Sequence, residues 1–154
     1  MRTLALLAML IVGLAGGPAI ASDTLQDGSY RTFGYFDRNG SGWRVQDSSY
    51  GTMGYVSADG GDWRVEDRSY RTVGYIRRDG EDWRVQDASY STIGYLDRDG
   101  DGWRVQNSSY GTIGYVGKDG RAQDGSYGTK AYLGEADPAR VAVFYFFLET
   151  LGRP

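Results

Sequence analysis

The residues able to do chemistry in this chain are few in kind. The 154 residues include no histidine and no cysteine, which removes His-dependent triads, Cys nucleophiles, zinc sites built from those ligands and disulfide frameworks together. Carboxylates, hydroxyls, Lys, Arg and aromatic rings remain. Asp97-Arg98-Asp99-Gly100-Asp101-Gly102 sets carboxylates at alternate positions, as in the first half of a Ca²⁺-binding loop, and Asp37-Arg38-Asn39-Gly40-Ser41-Gly42 does so less completely. The closing bidentate Glu is missing, because Ser108 stands where it would fall. These segments therefore read as polar hairpin turns, and no metal or other cofactor is expected. Glycoside hydrolysis would need two carboxylates about 5 to 10 Å apart in different environments. The acids here recur with the repeat and sit at turns, which marks turn formers and not catalysts. No catalytic residue is assigned, and a small glycan-active enzyme is kept only as an alternative.

The aromatic residues carry the stronger signal. Trp43, Trp63, Trp83 and Trp103 recur beside the Gly-containing turns, and Tyr35, Tyr55, Tyr75, Tyr95 and Tyr115 recur after glycine. Rigid indole and phenol faces stack on sugar C–H surfaces, and Asp62, Glu81, Asp82 and Asp101 lie close in sequence to accept hydroxyl hydrogen bonds. These nine aromatics are the candidate binding residues. The tryptophans either line an open rim or pack against Phe36, Val56, Ile76 and Leu96, and the sequence leaves both open.

The elements that must position them come from one unit written six times. Tyr30, Tyr50, Tyr70, Tyr90 and Tyr110 are evenly spaced, and Tyr127 follows after a shorter interval. Asn39-Gly40, Asp59-Gly60, Asp79-Gly80, Asp99-Gly100 and Asp119-Gly120 are hairpin dipeptides, and the Asp-x-Ser or Asn-x-Ser before each of these tyrosines suits an Asx turn. The segments between are rich in Tyr, Thr, Val and Ile and have strand length. With Asp59-Gly60 as the loop, Val56 pairs with Trp63 and Tyr55 with Arg64. One face then carries Gly54, Val56, Trp63 and Val65, and the other Met53, Tyr55, Arg64 and Glu66. In the shortened last unit, a three-residue loop at 117–119 with Gly120 as bulge keeps the register.

Closure follows from the ends. The first unit lacks its leading Trp-Arg-Val and the last lacks its trailing turn, so the termini can complete one another and leave no edge strand. The predicted fold is an all-β, pseudo-symmetric closed ring or funnel of β-hairpins, with five or six petals, over residues 22–136. The segment 137–154 is different. Asp137-Pro138 is a helix start, Gly152 a stop, and VAVFYFFL at 141–148 is apolar on every side, which predicts a short helix packed within the ring, with a final strand as the alternative. Residues 1–21 read as a signal peptide: Arg2 gives a positive charge, an apolar run too short to span a bilayer follows, and Ala19-Ile20-Ala21 fits a signal-peptidase site. Export to the periplasm or medium is expected, with no transmembrane anchor after cleavage. A net charge of -3 gives no basic face for nucleic acid.

The phrases VQDSSYGTMGYV, VQDASYSTIGYL and VQNSSYGTIGYV, joined by Asp-Gly turns and ending in an aromatic tract, resemble the bacterial exported beta-flower proteins, which have four- or five-fold repeats. The resemblance implies petals of hairpins around an axis and implies no activity. The inserted residues 41–43, 61–63, 81–83 and 101–103 lengthen the petals relative to that pattern. A choline-binding-like cell-wall repeat module, an open hairpin solenoid with aromatic cages, is the alternative, although Gln-Asp-x-Ser-Tyr replaces its Trp-Tyr-Tyr core. The expected role is that of a non-enzymatic binding or structural module whose partner is an envelope glycan or another envelope protein. Exported material should begin at Ser22, and its intact mass, with or without residues 1–21, checks this.

Overall fold

Each repeat becomes two antiparallel strands, and twelve strands close on themselves. The computed structural model describes residues 23–152, so the expected signal peptide lies outside the described residues. The strands are β1 (Thr24–Asp27), β2 (Thr32–Asn39), β3 (Gly42–Asp47), β4 (Thr52–Asp59), β5 (Asp62–Asp67), β6 (Thr72–Asp79), β7 (Asp82–Asp87), β8 (Thr92–Asp99), β9 (Gly102–Asn107), β10 (Thr112–Val116), β11 (Arg121–Asp124) and β12 (Thr129–Tyr132). Every strand pairs with its neighbours in sequence, and β1 pairs with β12 through Gln26↔Tyr132 and Asp27↔Ala131. The termini thus complete one another as their missing parts predicted. Five hairpins closed by glycine turns form the petals, and the β12–β1 seam forms the sixth sector.

The register differs from the expectation by an even step. Asp59 pairs with Asp62, Val56 with Val65 and Tyr55 with Glu66, so the loop is Gly60-Gly61 and not Asp59-Gly60. Gly60 has φ 65° while Gly61 does not share the positive region, which fits a turn that needs glycine at its first central position. The partner strand slides by two residues, and because side chains alternate, each keeps its face. In the last petal Gly117 N–H donates to Arg121 O and Gly120 N–H to Gly117 O, with Gly120 at φ 79°. The three-residue loop there is 118–120, one residue later than expected.

Met53 is a true correction. Strand alternation puts it outside beside Tyr55, yet it packs against the core, as do its equivalents Phe33, Val73, Ile93 and Ile113. The pairing jumps from Gln46↔Thr52 to Val45↔Gly54, leaving Met53 as the extra residue of a β-bulge that turns it inward. This bulge recurs where each unit leaves its Asx turn, from β1–β2 round to β11–β12.

A helical segment runs into the ring. Asp137 caps α1 (Pro138–Ala142), its carboxylate accepting from Ala139 N–H at 2.9 Å and Arg140 N–H, with Pro138 pre-set for the first turn. A wider π-helical turn (Val143–Phe147) follows, then α2 (Leu148–Leu151), capped at Gly152. The final-strand alternative is excluded. A Cβ added to Gly114, Gly94, Gly74 or Gly54 would overlap Tyr145, Phe146, Phe147 or Leu151 respectively, so four of the five petals each offer a glycine notch to one plug side chain, while the first petal's Gly34 faces Leu25 instead. An α-helix advances about 100° per residue and a six-sector ring about 60°, so the slower-turning π segment brings three consecutive rings nearer to three consecutive petals. Phe147 is buried, whereas Phe144 and Phe146 are only partly so. Arg140, 2 % exposed, donates to Leu133 O at 2.9 Å and to Asp23 Oδ1 at 3.1 Å, and its guanidinium lies 5.5 Å from the Phe36 ring centre. It thereby ties the plug to the chain entering β1.

Filling a notch should be costly and should couple to the plug. Gly94→Ala is expected to lose about 1 to 3 kcal/mol by overpacking. Combined with Phe146→Ala it should be more stable than the sum of the single changes predicts, though short of full recovery because Gln106 O also crowds the added carbon. Urea melts of the four proteins check this; strict additivity would mean that the ring is not seated in the notch.

Candidate functional site

The inner and outer faces of the strands give the two sets of candidate aromatics opposite surroundings. Trp43, Trp83 and Trp103 are buried, and Trp63 is half-buried against the same core. They lie across the barrel interior at the glycine-turn end: Trp43 contacts Phe36 and Trp63, with ring centres 6.3 and 4.9 Å apart, and Trp103 Nε1–H donates to Ala136 O at 2.8 Å. A cross-strand arginine covers three of them. The Arg98 guanidinium sits 4.4 Å from the Trp103 ring centre, and Arg38 and Arg78 take the same place at Trp43 and Trp83. Ala58 occupies that position opposite Trp63, which explains why this indole is the least enclosed. Of the two arrangements that the sequence leaves open, an open rim and packing against the neighbouring apolar side chains, the structure has the packed one.

The tyrosines have the opposite fate. Tyr35, Tyr55, Tyr75, Tyr95 and Tyr115 point outward, and on each stacks the turn tyrosine of the next unit: Tyr50, Tyr70, Tyr90, Tyr110 and Tyr127, with ring centres 4.4 to 4.6 Å apart. Tyr30 stacks on Tyr132 across the seam, completing six pairs. The turn tyrosines are 56 to 64 % exposed, and they are the large exposed hydrophobic side chains of the described residues. The spacing made them visible as repeat markers. Their partnership with a tyrosine fifteen or so residues earlier needed the ring.

Each turn tyrosine holds a left-handed backbone, with φ from 62° to 66°. A bulky residue there costs on the order of 1 to 3 kcal/mol and persists only if its surroundings fix it. Four bonds do so in the third unit and its equivalents. Asp67 Oδ1 accepts Ser69 N–H at 2.8 Å and Arg71 N–H at 3.1 Å, Asp67 N–H donates to Arg71 O, and Tyr70 N–H donates to Asp67 O. In five units the preceding Gln adds a fifth, as in Gln46 Nε2–H to Tyr50 O at 2.9 Å. The acceptor duty lowers the Asp67 pKa, chiefly through the Arg71 backbone N–H, and that of Asp27 through Arg31.

Several of the carboxylates that might have served chemistry are committed to the scaffold. Asp62 Oδ1 accepts Arg78 N–H and Asp82 Oδ1 accepts Arg98 N–H, both at 2.8 Å, each tying one petal to the next. Asp97 holds Arg104 at 2.9 Å and Asp37 holds Arg44 at 2.6 Å. Among the described residues no three acidic side chains converge in a way that could hold a metal ion. The outer wall thus presents phenol pairs flanked by ion-paired arginines such as Arg44 beside Tyr55 and Arg84 beside Tyr95.

The phenol pairs are bonded head to head. Tyr75 Oη donates to Tyr90 Oη at 3.1 Å and Tyr132 Oη to Tyr30 Oη at 3.0 Å. One member of every pair has its pKa raised: Tyr35, Tyr70, Tyr75, Tyr95, Tyr127 and Tyr132, in each case first of all by the bond to its partner hydroxyl. A phenol whose folded pKa lies above its unfolded one stabilises the fold below the ordinary tyrosine range near pH 10, and that contribution fades as pH rises through the folded value. Alkaline ultraviolet titration should therefore show a late-ionising class of phenols. In Tyr50→Phe, Tyr35 should leave that class; an unchanged titration would break the assignment.

No curated protein sequence matches the chain. A crystal structure of an Arabidopsis thaliana protein aligns over 86% of this chain and 94% of its own at 14% identity, with a TM-score of 0.39, too distant to carry an argument. The family model described as 5-fold beta-flower protein matches residues 22–149, nearly the whole ring and plug. Five glycine-turned petals joined at a seam, around an axial helix, accord with that description, and the chain belongs to the beta-flower family.

Proposed function

We propose that this protein is an exported, non-enzymatic binding module of the bacterial envelope and that its contact surface is the belt of tyrosine pairs, which engages a repetitive glycan at several petals at once. The observation that carries the reading is the strained, exposed turn tyrosine, repeated six times and held by up to five hydrogen bonds. Strain maintained at an exposed position is a reason to look for function there. Each ring offers one open apolar face, while the ion-paired arginines and carboxylates beside it provide donors and acceptors for sugar hydroxyls. A single stack is weak. Equivalent stacks around one ring act together through effective concentration, provided that one polymer spans them. This reading puts the glycan contact on the exposed phenols, since three of the indoles are buried and Trp63 is half-buried.

Glycine provides a test that separates recognition from folding. Replacing a turn tyrosine by Gly relieves the left-handed strain, about 1 to 3 kcal/mol, and removes a stack worth about 0.5 to 1.5 kcal/mol, so the two effects nearly offset. The triple variant Tyr50→Gly, Tyr90→Gly, Tyr110→Gly should melt within a few degrees of the wild type. It should lose retention on purified cell-wall glycan and on glycan arrays, while each single variant loses only a few-fold. Wild type without glycan retention, or a triple variant retained equally well, would overturn the proposal. A sharp drop in melting temperature with no wild-type glycan signal would assign the pairs to clamping the turns.

A further inference from the structure

Symmetry makes departures from it informative. At the first variable position of the Asx turn the six units carry Gly28, Ser48, Arg68, Ala88, Ser108 and Gly125, and after the tyrosine they carry Arg31, Gly51, Arg71, Ser91, Gly111 and Gly128. The third unit alone has arginine at both. The plug is asymmetric as well, since α2 ends against the second and third petals, with Leu151 in the Gly54 notch and Met53 beside Gly152. Between the third turn and that helix end lies a pocket of about 480 Å³, within the range of small-ligand sites. The two asymmetries meet there and nowhere else in the ring.

The lining has two characters. Met53, Val73 and Leu151 give an apolar floor, and Arg68, Ser69 and Arg71 with Thr72 and Thr150 give a polar lip. The Asp67 carboxylate, also at the lip, is already taken by Arg71 at 3.0 Å and by two backbone N–H groups. Arg68 is exposed and has no ion-pair partner among the described residues, so the lip keeps an unmatched positive charge. An apolar floor beside an unmatched guanidinium suits an anionic head on an aliphatic tail, because guanidinium binds carboxylate or phosphate through paired N–H donors.

From this we infer that the groove between the third Asx turn and the end of α2 is a binding site for a single-chain amphiphile with an anionic head, with Arg68 holding the head and Met53, Val73 and Leu151 the tail. This site is separate from the tyrosine belt and stands or falls without it. Calorimetric titration of the full chain with decanoate tests it, with acetate and decylamine as head-only and reversed-charge probes and anionic phospholipid vesicles as the bilayer source of the same chemistry. Decanoate should bind, acetate should bind far more weakly and decylamine should not bind. Arg68→Ser, the residue that the second and fifth units carry at this position, should keep the wild-type melt and weaken decanoate about tenfold, as expected for one charge-assisted contact. Thr150→Trp should weaken it by filling the lip. Vesicle binding lost in Arg68→Ser, without decanoate binding, would make Arg68 a charge contact for a membrane surface and would overturn the single-chain site. Binding of neither probe, equal decanoate affinity in Arg68→Ser, or decylamine binding as well as decanoate would overturn it.

Discussion

A ring of twelve strands encloses more space than its own inward side chains can fill. Eight strands leave an interior that side chains just occupy, and much wider barrels leave water-filled channels. This chain lies between those cases, and its internal design answers to that width. Four indoles pack into the core toward the glycine-turn end. The axis is occupied by the helical segment, whose rings enter glycine notches. Glycine is needed there because the helix approaches the strands closely, while the valines, Leu96 and Ile76 two positions on fill the remaining space. A barrel of this circumference with larger residues at positions 54, 74, 94 and 114 would have no room for the plug.

The outside is governed by a different constraint, the six-fold turn. An Asx turn with a tyrosine in the left-handed region is strained in isolation, but here the Asp carboxylate, the backbone bonds and the phenol stack reinforce one another. The bulge that leaves each turn sends Met53 and its equivalents into the mouth of the barrel, while Tyr55 and its equivalents stay outside to receive the next turn. Local backbone irregularity therefore couples the core to the outer surface within each unit. Repetition then copies that coupling around the ring.

Much of this was legible from residue order because repeats report their own boundaries. The Gly and Asp-x-Ser turns, the alternation of faces, the complementary ends and the Asp137-Pro138 helix start all depend on neighbours in sequence. What escaped depends on distance in space. The two-residue slip came from taking Asp-Gly as the loop centre, when glycine stood first and Asp59 was still in the strand. Met53 went to the wrong face because an alternation argument has no place for a bulge. The tryptophans resolved as interior residues and Tyr70 as the stacking partner of Tyr55 only once the curvature of the whole sheet was known. The uneven features, such as the paired arginines of the third unit, were on the page in the sequence but had no meaning until α2 was found ending beside them.

The β12–β1 seam sets the order in which the chain can become itself. Every other pairing joins consecutive strands and can form as soon as a hairpin's length of chain is available, whereas Gln26 meets Tyr132 only after all intervening units are in place. The arginine that secures the entry to β1, Arg140, comes later still. Until then β1 and β12 have free edges of the kind on which strands of other molecules pair, and the arc has no lid over its apolar wall. Early hairpins should accumulate quickly and ring closure should be the slow event, since the loop to be closed is almost the entire chain. Residues 129–140 therefore act as a latch: a chain interrupted before residue 129 keeps a free edge on which other chains can polymerise, and one that carries β12 and Arg140 has no edge to extend.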